Sequence, residues 1–200
     1  YDEEFKITQD YELWSSLVRD NYSITNIPDV LMSCRVHSNS TGFVEADKRA
    51  LKEKSETILR NINVFTTLRL AYEDAVGICK LFYHTPDLSS EEFERAESNF
   101  SNLYSNMKEE YKLPSELTEK GIKSLMLKPY CKLAISEIQG NKLKIARKVA
   151  LKYYSKYGFS MMPFLIYIST FFGKEISKKL PFIHEKYLEL KTKTISTSCL

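Results

Sequence analysis

YSITNIPDVLMSCRVH, residues 22–37, is the stretch that decides the fold class. Tyr22, Ile24 and Asn26 alternate with Ser23, Thr25 and Ile27 as a half-buried strand would, and Pro28-Asp29 breaks the run. A second period-two run follows from Val30 to His37. Val30, Met32, Cys34 and Val36 fall on one face and Leu31, Ser33, Arg35 and His37 on the other. Arg35 and His37 therefore project side by side. The polar stretch Ser38 to Gly42 closes the pair as a loop. Two strands beside a helix give an α/β segment over residues 1–42.

Upstream, residues 8–20 (TQDYELWSSLVRD) place Leu13, Trp14, Leu17 and Val18 at three- and four-residue spacing, the stripe of an amphipathic helix. Thr8 and Asp10 stand where its amino end needs capping. Downstream of residue 43 the punctuation predicts helices over roughly 45–65, 67–83, 90–111, 115–138, 142–156, 160–172 and 174–191. Ser89 and Glu92 have the spacing of a capping box. Gly140-Asn141 reads as a stop followed by a cap, and Pro129 is expected to kink or split its helix. The expected organisation is an α/β remnant, residues 1–42, followed by a mainly α-helical extension, residues 43–200.

The chain has 200 residues, 43% of them hydrophobic, enough to bury a core. Its 29 Lys and Arg against 26 Asp and Glu leave a net charge of +3, but the distribution is uneven. Residues 1–40 are net −4, residues 41–140 net −2 and residues 141–200 net +9. A basic tail alone does not make a nucleic-acid-binding chain, and nucleic acid is not an expected partner. Cys34, Cys79, Cys131 and Cys199 are widely spaced with no Cys-x-x-Cys pair, which speaks against a zinc site or disulfide framework and for a reducing cytosol. The opening residues do not read as a signal peptide, so the sequons at Asn21, Asn39 and Asn99 count as chance tripeptides. The chain reads as the carboxyl portion of something longer.

Chemistry concentrates at the amino end. Asp2, Glu3, Glu4 and Asp10 bring four carboxylates to a helix entrance, where the dipole favours the ionised form. A carboxylate there can act as a base or simply cap the first turn. His37 can be a metal ligand beside a phosphate-binding Arg35, or a hydrogen-bonded structural histidine. No glycine-rich phosphate loop, His-Glu-x-x-His or Gly-x-Ser-x-Gly is present.

Read together, Asp2-Glu3-Glu4-Phe5, Gln9-Asp10-Tyr11-Glu12-Leu13-Trp14, Leu17, Tyr22, Asn26-Ile27-Pro28, Leu31 and Arg35-Val36-His37-Ser38-Asn39-Ser40 resemble the end of the catalytic domain of family 2 glycosyltransferases. The resemblance implies an A-type nucleotide-diphospho-sugar fold, an inverting transfer to a hydroxyl acceptor, and Asp10 as the catalytic base. It places Arg35 near the donor diphosphate and makes His37 a ligand of a divalent metal, Mn or Mg. The partners it implies are a nucleotide-diphospho-sugar donor and a glycan or lipid-linked acceptor of cell-surface polysaccharide biosynthesis. Gln9 departs from the acidic residue that usually precedes the base, and the donor-binding strands and Asp-x-Asp motif of the family are missing from these 200 residues.

Residues 157–173 (YGFSMMPFLIYISTFFG) carry no charge but fall short of the ~20 residues that span a bilayer. They read as a core helix or as a helix lying in a membrane interface, flanked by lysines that attract anionic headgroups. The expected location is the cytoplasm, extending to the inner face of the cell membrane. A non-catalytic helical interaction or membrane-surface docking module is the alternative to the enzyme.

Overall fold

The computed structural model describes residues 2–27, 29, 31, 46–83 and 87–171, and among them all regular structure is helical. The α/β expectation is corrected by this. Residues 22–27 form no regular structure, and Tyr22, Ile24 and Ile27 all lie exposed. A strand needs a neighbour to pair its N–H and C=O groups, and none stands beside this run among the described residues. Of the second expected strand only Leu31 is described, also exposed; the rest, with the 42/43 domain division, lies outside the described residues.

The helices are α1 (Gln9–Arg19), α2 (Ala46–Phe65), α3 (Tyr72–Tyr83), α4 (Ser90–Glu110), α5 (Ser115–Gln139), α6 (Leu143–Tyr157) and α7 (Met161–Ser169). The expected helix over 174–191 lies outside the described residues. The capping box of α4 is present: the Glu92 N–H donates to Ser89 Oγ at 3.2 Å and the Ser89 N–H to the Glu92 carboxylate at 2.8 Å. Pro129 does not split α5, which runs through it. The carbonyl that a proline cannot reach belongs to Leu125, an exposed position open to water.

The chain forms two compact units, Tyr1–Thr118 and Glu119–Leu200. In the first, α1 packs on α2, α2 on α3 and α3 on α4, around a core that includes Phe5, Ile62, Ile78, Leu81, Phe93 and Phe100. In the second, Cys131, Ala134 and Ile138 of α5 meet Ala146 and Ala150 of α6 and Met162 and Ile166 of α7. The small residues Ala134, Ala146 and Ala150 lie in this shared cluster. Tyr130 and Tyr153 add an edge-to-face pair with ring centroids 5.4 Å apart. The chain leaves α6 through Gly158 at φ 75°, ψ −168°, a conformation open essentially only to glycine, and turns directly into α7.

Candidate functional site

Asp10 is the second residue of α1 and its side chain is exposed. Its Oδ1 accepts the Tyr11 N–H at 2.8 Å, within the first turn. The residue in the N-cap position, Thr8, does not cap the helix with its side chain. Its hydroxyl donates to Glu53 on α2 instead, at 3.2 Å.

Glu53 organises the entrance to α1. Its carboxylate accepts the backbone N–H groups of Lys6, Ile7 and Thr8 at 3.0, 2.9 and 2.9 Å, and the Arg49 Nε at 2.9 Å. Burial pulls its pKa upward, but the three N–H donors and the guanidinium outweigh that and hold it at about 2. A carboxylate on one helix thus does for the preceding segment of another what a local cap would have done.

Glu12, two residues on from Asp10 in the same first turn, is buried. Its carboxylate accepts Thr57 Oγ1 at 2.6 Å, Arg19 at 2.5 Å and Arg60 at 3.1 Å, and Arg60 reaches on to Asp2 at 2.9 Å. Burial opposes ionisation of Glu12; the donors from Thr57, Arg19 and Arg60 prevail and lower its pKa. Arg19 also donates to Asn61 at 2.6 Å, and Asn61 to Ser15 at 3.2 Å. The interface between α1 and α2 is therefore a polar network.

That network corrects the reading of α1. The buried residues of the helix are Glu12 and Ser15, while of the expected apolar stripe Trp14 and Val18 are 54% and 44% exposed and Leu13 and Leu17 are half-buried. The signal for the buried face was in the sequence: Glu12, Ser15, Ser16 and Arg19 recur at helical spacing as a second, polar stripe. Trp14 and Val18 line an open groove with Asn61 and Phe65 instead. Tyr11 sits at the edge of a cleft of about 280 Å³ that also includes Ile62, Phe65, Phe82, Tyr83 and Phe100. Burial pushes the Tyr11 phenol up to about 12, with the Tyr83 phenol acting in the same direction.

Neither Arg35 nor His37 lies among the described residues, so Asp10 is the one site residue from the sequence whose surroundings are described. Among the described residues no group of three His, Cys, Asp or Glu side chains comes together to hold a metal ion. Comparison of the chain with protein-family models, with curated proteins and with solved structures gives no match.

Proposed function

We propose that the chain is the carboxyl-terminal portion of an inverting glycosyltransferase and that Asp10 is its base. The observation that carries this reading is the contrast between two carboxylates in Gln9-Asp10-Tyr11-Glu12. Glu12 is buried and saturated by three donors, whereas Asp10 stands exposed in the first turn of the helix those donors hold in place. A general base must be anchored but open to its substrate. The resemblance of the surrounding motif to family 2 glycosyltransferases supplies the substrate class.

In this reading Asp10 takes the proton of an acceptor hydroxyl as that oxygen attacks the anomeric carbon of the donor sugar. The new C–O bond forms on the face opposite the leaving group, the bond from the anomeric carbon to the diphosphate oxygen breaks, and the nucleoside diphosphate departs with the electron pair. The proton stays on the Asp10 carboxyl. The resemblance assigns Arg35 to the diphosphate charge and His37 to a divalent metal, which would stabilise the same leaving group when bound. Donor binding is assigned to sequence beyond these 200 residues. The apolar cleft edged by Tyr11 suits the apolar portion of a lipid-linked acceptor. The buried free thiols of Cys79 and Cys131 suit the reducing conditions of the cytoplasm, the location proposed here.

The test is Asp10→Asn in the full-length polypeptide, assayed with nucleotide sugars. Transfer should fall at least about 100-fold while the helical circular-dichroism signal and donor binding persist. Near-normal turnover removes Asp10 from the chemistry and favours the alternative, a helical docking module without catalysis.

A further inference from the structure

Helix α7 has two apolar sides. Met162, Ile166 and Ser169 face inward and are buried, as in any packed helix. Its outward side carries Met161, Phe164 and Leu165, all exposed, and the half-buried Ile168, at the i, i+3, i+4 and i+7 positions that share one face. On an ordinary surface helix these positions are polar. The stripe continues at both ends through Phe159 and Phe171, 64% and 57% exposed, and the Phe159 ring packs against Phe164 with centroids 5.9 Å apart.

Cations bracket this stripe. At its carboxyl end the Arg147 guanidinium lies 4.1 Å from the centroid of the Phe171 ring and donates to the Thr170 carbonyl at 2.6 Å. At its amino end Lys123 Nζ comes within 3.7 Å of the position a Cβ on Gly158 would take, and Lys156 Nζ stands 5.6 Å from the Tyr157 ring centroid. The surrounding unit is strongly basic: residues 119–200 hold 16 Lys and Arg against 5 Asp and Glu, whereas residues 1–118 hold 13 against 21.

From these observations we infer that the outward face of α7 docks into the interface of an anionic phospholipid bilayer, with its flanking cations at the headgroup phosphates. Apolar and aromatic side chains between basic residues are what an interfacial helix requires. The nine residues of α7 do not reach across a bilayer, and no described helix is long and apolar enough to cross one. The charge selects among occupants. A second copy of a unit with net charge +11 is repelled, while an anionic surface is attracted. A nucleic acid would call for cations along the exposed stripe, where the side chains are Met, Phe, Leu and Ile. Docking of this kind is independent of whether the chain takes part in sugar transfer.

The experiment is co-sedimentation of the 200-residue chain with large unilamellar vesicles of phosphatidylcholine, alone or with about 30 mol % phosphatidylglycerol. Partitioning into the anionic vesicles should exceed that into neutral ones by about tenfold or more and decline as salt is raised. The double variant Phe164→Ser/Leu165→Ser changes only exposed side chains; with its helical signal retained, it should lose about tenfold or more in anionic-vesicle binding. Tryptophan placed by Phe164→Trp should shift its emission to the blue with anionic vesicles. Absence of binding to anionic vesicles overturns the inference, and so does undiminished binding by a folded double variant. Self-association abolished by the double variant without any vesicle binding assigns the face to a second copy and also overturns it, as does salt-sensitive binding to arbitrary RNA in place of vesicles.

Discussion

Glu53 shows how one side chain can couple acidity to stability. Held at about 2 in the folded chain against an ordinary value of 4.5, its carboxylate contributes stability that is fully present above about pH 4.5 and is lost as pH falls toward 2. A displacement of that size corresponds to about 3 kcal/mol. Glu12, lowered by Thr57, Arg19 and Arg60 against its burial, acts in the same direction. Glu53→Gln should lower stability by about 2–3 kcal/mol at pH 7 in urea denaturation and flatten the decline between pH 5 and 2. An unchanged acid limb in the variant would place the pH sensitivity elsewhere. Nothing in the sequence marks Glu53 for this role, because its i, i+4 relation to Arg49 is that of a solvated pair on a surface helix. Only the fold brings Lys6, Ile7 and Thr8 across to it. Asp10, by contrast, is legible as a helix-entry carboxylate from its place in the first turn; that it is exposed while Glu12 of the same turn is buried follows only from the packing of α1 on α2.

At the scale of the element, three helices end in the same way. In α1, α4 and α5 the chain passes through a left-handed residue, Asn21, Lys112 or Asn141, with φ 64°, 50° and 64°. In each case the following N–H returns to the carbonyl five residues back, at 2.9, 3.0 and 2.7 Å. This is the Schellman stop. Asn141 is thus the left-handed residue, and Lys142, without a side-chain bond, takes the N-cap position of α6 that had been expected for Asn141. Asparagine tolerates the left-handed conformation and lysine does so poorly. The N–H of Lys112 also makes the longest inner bond of the three, 3.4 Å to Glu109 against 3.0 Å for the other two. Lys112→Gly should therefore raise stability by about 0.5–1 kcal/mol, read as an upward shift in Tm, whereas Lys112→Ala should not. Helices were readable because periodicity and caps are local. The run at 22–27 was misread because alternation states only which side chains share a face, and says nothing of whether a partner exists to accept the ladder. Trp14 and Val18 were misread for a related reason: α1 shows one apolar and one polar stripe, and a partner helix rich in Arg60, Thr57 and Asn61 took the polar one.

For the whole molecule, the division at residue 118 separates two kinds of chain. All four carboxylates held below their ordinary range among the described residues, Asp2, Glu12, Glu53 and Glu92, belong to the first unit. Protonating every carboxyl group removes 21 negative charges from residues 1–118 but only 5 from residues 119–200. In acid the first unit therefore loses its carboxylate ion pairs and swings from net −8 to net +13, while the second, packed around Cys131, Ala134, Ile138, Ala146, Ala150, Met162 and Ile166, stays basic throughout, moving from +11 to +16. Acid denaturation should be stepwise. On lowering pH from 5 to 2, hydrogen exchange should strip protection from α1 and α2 first, with α6 and α7 retaining theirs to lower pH. Simultaneous loss in both units, or earlier loss in α6, would show that the carboxylate network does not set the acid limit. Glu53→Gln then separates the contributions: it should weaken α1 and α2 already at pH 7 and leave exchange in α6 and α7 unaltered, since among the described residues its carboxylate bonds only Lys6, Ile7, Thr8 and Arg49.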